Sequence, residues 1–384
     1  MFILMITRGV PTPQAPQWGC FEKDQGEALA ALGHKVVMAS VDSRFIVRWR
    51  HIGVTHHVIN GIDYYDSFLI PGAITDLLGN RFSLYVRQKQ VARIFKTIVK
   101  EHGKPDVIYG QFFFNTVLGV EVSKKYNIPL VGIEHAGRFN EETLSSKTLL
   151  EATRAYQQTS QVIAVSTNLK KALYKHFHID PCVVYNTYGK EFGFKPHDFD
   201  GTMHLASTGS LLYGKGFDIL IKALAQLPSD YNHWNLQIIG EGNDRNRLEN
   251  LIAQYRLQDK IHLIGQQDKT TIASILQASD CFILPSRGEN FSVAVLEALA
   301  CGCPVISSNC GDIKACINDT NGLLFEVEDV DGLTGCLRHM FDHHADYDRQ
   351  SIADDCQARF SAEVIAKQLT DIFRQVISPL FKHS

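Results

Sequence analysis

Short apolar runs alternating with amphipathic stretches set the plan of the chain. Residues 2–6, 35–40, 106–109, 129–133 and 161–165 read as buried strands. Helical periodicity over residues 22–32, 80–102, 115–126 and 168–176 falls between them, and Gly33 fits the stop of the first helix. The alternation restarts at residues 204–208, with further strands at 235–239, 260–264, 280–284 and 304–307. Helices are predicted over residues 244–255, from Asn290 onward, over 331–341 and over 362–377. Strand, turn, helix, strand is the doubly wound α/β order, in which ligands bind beyond the carboxyl ends of the strands. A chain of 384 residues exceeds one ordinary core. The pattern divides it into a first domain over residues 1–190, a second over 191–362, and a closing helical segment over 363–384.

Composition changes this picture little, but charge does. Apolar residues make up 45% and charged residues 21%, which fits a globular protein and excludes a disordered one. The net charge of −3 conceals an asymmetry: residues 1–190 carry 22 Lys/Arg against 15 Asp/Glu, and residues 191–384 carry 16 against 26. A basic first half suits an anionic partner or surface. Within it, Arg81, Lys89, Arg93, Lys96 and Lys100 share one side of the helix predicted over 80–102, opposite Leu84, Val91, Ile94, Phe95 and Ile98. Such a stripe fits either a solvated face or an anionic membrane surface, and Arg44, Arg48 and Arg50 among Phe45, Ile46, Val47 and Trp49 add weight to the second. The nine cysteines follow no extracellular pattern and read as reduced. The apolar start is too short for a signal peptide and no stretch is long enough to span a bilayer. A cytoplasmic protein, soluble or peripheral on the inner face of the membrane, is the expectation.

Candidate chemistry concentrates in residues 286–312, SRGENFSVAVLEALACGCPVISSNCGD. Asn290 is a good helix N-cap, which would direct the N–H groups of Phe291, Ser292 and Val293 outward as an anion site. Glu289 precedes the cap, and Glu297 returns to nearly the same face two turns later. On spacing alone the pair also fits an ordinary surface helix. Cys301 and Cys303 are too close for a zinc pair with no second pair behind them, and Asp198 and Asp200 lack the preceding strand that a metal-holding D-x-D needs, so no metal is expected.

Glu289 and Glu297, with Phe291, Leu296, Ala298, Gly302, Pro304 and Val305 at their spacings, resemble the E-x7-E region of glycosyltransferase family 4, the retaining GT-B enzymes. Residues 209–216, GSLLYGKG, resemble the G-R-L-x-x-x-K-G element of that family, with Lys215 matching and Ser210 standing where Arg is usual. IPLVGIEHAG resembles the segment whose histidine, here His135, faces the transferred sugar. The resemblance implies two Rossmann-like doubly wound domains facing a cleft, with the nucleotide-sugar donor on the second. It implies that Lys215, Gly209, Ser210 and the helix N–H groups meet the diphosphate, and that Glu297 holds the ribose. Glu289 would bond sugar hydroxyls, and Ile264 and Gln266 would lie near the nucleobase. Gly19 aligns with the glycine-rich loop that approaches donor or acceptor.

The activity implied is transfer of a hexose, from a UDP-sugar in the first instance, to a hydroxyl of a surface glycan or lipid-linked acceptor. No cofactor beyond that co-substrate is implied, and no nucleic-acid partner. Asn186, followed by Thr187 and Tyr188, departs from the family pattern, as do Asp312 and Ala315. Two other classes stay open: a nucleotide-sugar epimerase of the same architecture, and a nucleotide-sugar-binding protein with weakened catalysis.

Overall fold

The computed structural model describes residues 1–9, 11, 18–42, 53–68 and 79–378. The segment carrying Arg44, Arg48 and Arg50 lies outside them. The chain divides into two compact units, one built from Met1–Asn186 with Ala362–Ser384 and the other from Thr187–Ser361.

The first unit is an eight-stranded sheet. Its strands are β1 (Phe2–Thr7), β2 (Lys35–Asp42), β3 (Gly53–Ile59), β4 (Ile62–Phe68), β5 (Val107–Gln111), β6 (Leu130–Glu134), β7 (Gln161–Ala164) and β8 (Cys182–Val183), in the order β3-β4-β2-β1-β5-β6-β7-β8. Every residue of β1 is buried, as a central strand covered on both faces requires. Helices α1 (Cys20–Ala31), α2 (Asn80–His102), α3 (Phe113–Tyr126), α4 (Ser146–Tyr156) and α5 (Thr167–Phe177) flank it. Helix α2 buries Leu84, Val91, Ile94, Phe95 and Ile98 and exposes Arg81, Lys89, Arg93, Lys96 and Lys100, so its two faces separate as its sequence predicts.

Several elements have no counterpart in the sequence reading: the helices over Ser146–Tyr156, Phe217–Ala225, Lys269–Gln277 and Arg349–Phe360, the strand over Gly322–Phe325, and an edge hairpin. Strands β3 and β4 form an antiparallel hairpin at the sheet edge, closed by Asn60 (φ 51) and Gly61 (φ 79). The Asn-Gly pair with both φ positive is the favoured two-residue hairpin turn, so the signal was present. The last helix, α12 (Ala362–Ile377), buries Ile365, Leu369 and Phe373 in the core of this unit. Phe373 meets Tyr109 edge-on at 5.0 Å, and His34 Nε2 lies 2.8 Å from Thr370 Oγ1.

The second unit is all parallel: β9 (Met203–Thr208), β10 (Trp234–Ile239), β11 (Ile261–Gly265), β12 (Cys281–Leu284), β13 (Val305–Ser308) and β14 (Gly322–Phe325), ordered β11-β10-β9-β12-β13-β14. Helices α6 (Phe217–Ala225), α7 (Arg245–Gln254), α8 (Lys269–Gln277), α9 (Val293–Ala300), α10 (Val330–His343) and α11 (Arg349–Phe360) flank it. The strand order reverses between β9 and β12. Neighbouring connections leave the sheet in opposite directions there, which opens a crevice at the carboxyl ends.

Candidate functional site

At that crevice the backbone, more than the side chains, sets the geometry. A Cβ on Gly240 (φ 147) would lie 1.9 Å from the Gly209 carbonyl oxygen, and one on Gly216 (φ 66) would lie 1.9 Å from that of Pro285. Only glycine permits both approaches. The close packing brings the end of β9 against the end of β10, and the start of α6 against the end of β12. A single 3-10 turn, Tyr213–Lys215, bridges β9 to α6 and carries Lys215, whose stem runs beside Gly209.

Lys215 Nζ reaches Glu289 Oε1 at 2.5 Å, and Ser286 Oγ donates to the same oxygen at 2.8 Å. Glu289 is 14% exposed and Lys215 is 31% exposed, so the pair opens to solvent without being fully solvated. Gly311 (φ 61) lets the chain after β13 close on this loop: a Cβ there would meet the Glu289 carbonyl at 2.2 Å, and Asp312 N donates to Asn290 O at 3.1 Å. Cys310 and Ser308 line the same place, with Ser308 Oγ and Cys310 Sγ 3.4 Å apart. Burial pushes the Cys310 thiol up from its ordinary value, while Glu289 and Lys215 act on it with opposite sign.

The helix that starts here begins later than expected. Ser292, not Asn290, is the N-cap of α9, and the first free N–H groups belong to Val293, Ala294 and Val295. Asn290 sits two residues upstream because its carbonyl is held by Asp312, and Phe291 is buried 5.8 Å from the Phe360 ring. Glu297 lies half-buried on the second turn of α9. Of the other residues singled out, Ser210 accepts from Leu212 N at 2.7 Å. Ile264 O accepts from Gln267 Nε2 at 2.8 Å, and Gln266 is exposed beyond the end of β11. Asp200 is engaged with Thr202 N at 2.8 Å and His204 Nε2 at 3.1 Å.

In the first unit, His135 follows β6. Its Nε2 lies 3.0 Å from Gln111 Oε1, its Nδ1 is closed from solvent, and Asn186 lies against the ring. Burial first, then the Arg8 charge, lower its pKa to about 3, so the ring is neutral at physiological pH. A neutral ring facing the Gln111 carbonyl oxygen carries its proton on Nε2. Gln111 in turn donates to Gln25 Oε1 at 2.9 Å, making a buried polar line behind the histidine. Glu134 points the other way, into the core. It accepts from the N–H groups of Phe113 (2.8 Å), His135 (2.9 Å) and Ala136 (2.8 Å) and from Tyr156 Oη (2.7 Å). The carboxylate so caps the N-terminus of α3, whose own cap position, Phe112, offers no side-chain acceptor.

Sequence reasoning missed Arg8, Phe112 and Gln111. Arg8 follows β1, forms a two-point pair with the fully buried Glu22 (2.6 and 2.9 Å), and lies 4.5 Å from the Phe112 ring centre and 5.0 Å from that of Trp18. Phe112 has φ 63 and ψ 154, a region nearly confined to glycine that costs about 1–3 kcal/mol. Its ring stands 4.7 Å from His135. Gly19 (φ 74) is the left-handed N-cap of α1, with its carbonyl accepting from Lys23 N at 2.9 Å.

Comparison with known proteins bears on what such a pair of units is. The chain is 27% identical over 247 residues to an uncharacterized glycosyltransferase of Methanocaldococcus jannaschii, a match over 63% of this chain and 66% of that protein. The match therefore spans just under two-thirds of that relative's length. Among solved structures, sucrose-phosphate synthase from Thermosynechococcus elongatus superposes with a TM-score of 0.77 at 21% identity, covering 100% of both chains. HepE of Anabaena, in complex with UDP and glucose, superposes at 0.74 and 18% identity, covering 98% of this chain and 100% of its own. These likenesses identify the fold as GT-B, two parallel-sheet α/β domains. The model for Glycosyltransferase Family 4 matches residues 23–188 and that for Glycosyl transferases group 1 matches residues 190–351, and with both halves accounted for the chain belongs to the family 4 glycosyltransferases.

Proposed function

We propose that the protein transfers a hexose from a nucleoside diphosphate sugar to a hydroxyl acceptor, with retention of configuration. The observation that carries this reading is the Lys215–Glu289 pair at the carboxyl ends of β9 and β12, beside the N-termini of α6 and α9. A cation and two sets of outward N–H groups suit a departing diphosphate. The carboxylate suits sugar hydroxyls. In this reading Glu297 holds the ribose, and the backbone around Ile264 and Gln266 meets the base. His135, neutral and fixed by Gln111, is the residue assigned to the transferred sugar from the first unit. The departing phosphate oxygen takes the acceptor proton, so no protein nucleophile is assigned.

A UDP-linked donor is favoured because a neighbour of the same fold is bound to UDP and glucose. The acceptor is read as a surface glycan or lipid-linked saccharide on an anionic membrane, because the exposed face of α2 sets five cations beside Phe82 and Tyr85, 45% and 54% exposed. Among the described residues no helix is long and apolar enough to cross a membrane.

The test is a thermal-shift panel of UDP, GDP, ADP and their sugars, followed by transfer assays with the sugar that shifts most. A ligand at 100 times its Kd stabilises by about 2.7 kcal/mol, enough to resolve the panel. Transfer to a saccharide with the donor's anomeric configuration kept supports the reading. Epimerised nucleotide sugar without transfer, or binding without turnover, sinks it.

A further inference from the structure

We propose that Arg287 is a positioning residue for the diphosphate-binding cation, a role that rests on the reading of Lys215 given above. Arg287 follows β12 and lies two residues before Glu289, yet its backbone N–H and guanidinium are spent on the turn that carries Lys215, on the start of α6 and on Glu328. Its backbone N–H donates to Gly214 O at 2.9 Å and its Nη1 to Tyr213 O at 2.6 Å. The guanidinium makes a two-point pair with Asp218, in the first turn of α6, at 2.9 and 3.0 Å. From its other side it reaches Glu328, through Nε and through Nη2 at 3.1 Å, at the turn between β14 and α10. Its Cζ lies 3.8 Å from the centre of the Tyr213 ring.

Three features argue that this arrangement serves the site. First, the guanidinium is 13% exposed and Asp218 is 5% exposed, so the pair is strong enough to hold a conformation, unlike a solvated surface bridge. Second, the segment it holds is short and open to solvent, with Arg247, 5.7 Å from the Tyr213 ring centre and 3.6 Å from Asp218, as a further cationic neighbour. The turn over Tyr213–Lys215 is three residues long, none of them buried, with Leu212 48% and Tyr213 60% exposed. Third, the clamp joins the two chain segments whose side chains must meet. From the loop that supplies Glu289, the backbone N–H of Arg287 holds carbonyl 214, as any residue there would, and its guanidinium alone holds carbonyl 213 and Asp218; the 2.5 Å approach of Lys215 to Glu289 depends on that second, side-chain hold. A planar fork is required for this, since an ammonium cannot hold Asp218 at two points while stacking on a ring.

The experiment compares the whole protein with Arg287→Ala, Arg287→Lys, Glu328→Gln, Lys215→Ala and the double variant Lys215→Ala/Arg287→Ala. Affinity is measured by calorimetry for whichever of UDP, GDP or ADP shifts the wild type most, alongside Tm. Arg287→Ala is expected to weaken binding about tenfold, as a small misplacement of a charged contact does. Arg287→Lys should fail to rescue it, and the double variant should bind no more weakly than Lys215→Ala alone. Glu328, 52% exposed, can lose its charge without endangering the fold, and Glu328→Gln should weaken binding by about two- to threefold. That variant and Arg287→Lys carry the test should Arg287→Ala not fold. Unchanged affinity in the Arg287 variants, or losses that simply add to that of Lys215→Ala, overturns the positioning role alone. Unchanged affinity in Lys215→Ala overturns both the role and the reading of Lys215 beneath it.

Discussion

Lys215 Nζ and Glu289 Oε1 lie 2.5 Å apart, so a diphosphate that reaches the lysine shares its charge with the glutamate. The two residues then stand in competition as well as in concert. Glu289→Gln should raise affinity for the free nucleoside diphosphate, by about threefold, because the rival carboxylate is gone. The same change should depress sugar transfer, because an amide is a weaker acceptor for sugar hydroxyls. Calorimetry with UDP and initial-rate assays on one preparation check both signs, and a parallel fall in both would break the argument.

Lys215→Ala should lower turnover by about 100-fold or more, the scale of losing one stabilising donor at a developing anion. Its side chain is partly exposed and packs along a glycine, so the Tm should move little. Single-turnover kinetics with matched melting curves separate the two effects.

His135 gives a pH prediction with a definite sign. Its folded pKa of about 3 lies below the ordinary value of 6.5, so between those limits the unfolded chain binds a proton that the folded chain does not. Stability is therefore lost as pH falls through that window. His135→Gln should flatten the acid limb of a plot of urea midpoint against pH, while leaving the neutral plateau shifted by a constant.

Gly216→Ala should destabilise the second unit by about 2–3 kcal/mol or more, since its Cβ would sit 1.9 Å from a backbone oxygen at positive φ. Gly214→Ala, two residues away with open space at Cβ, is the control. Urea unfolding of the two variants compares a backbone collision with a free surface.

Replacing Arg93, Lys96 and Lys100 of α2 by Glu should abolish binding to vesicles rich in anionic lipid, since each cation near such a surface contributes about 1 kcal/mol. Co-sedimentation against neutral and anionic vesicles checks this. Equal binding of wild type and variant to both would remove the membrane from the proposal.

Most strands, and helices such as α2 and α12, were legible because burial on two faces or on one stripe leaves a simple pattern in residue type, whereas the shorter α4, α6, α8 and α11 were not predicted. The β3–β4 hairpin escaped because His56, His57, Asp63 and Asp66 interrupt its alternation, although its Asn-Gly turn is plain in the sequence. The start of α9 was misplaced by two residues for a tertiary reason: Asp312, distant in sequence, captures the Asn290 carbonyl. Lys215 and Glu289 were legible as a resemblance, but their direct contact was not, because it depends on the close approaches at Gly216 and Gly311. Arg8, Gln111 and Arg287 carried no local signal. Each acts through partners 10 or more residues away, and single-residue spacing cannot report that.

The glycines of the second unit also bear on how such a site can change over evolutionary time. At 209, 216, 240 and 311 backbone meets backbone, and three of the four would drive a new Cβ into a carbonyl oxygen. Gly216, Gly240 and Gly311 are therefore closed to larger residues, and the backbone at this end of the crevice is set by geometry. Change there is left to side chains around that frame, such as the half-buried Ser210 and the exposed Gln266. Libraries built to alter sugar or base preference should be confined to them.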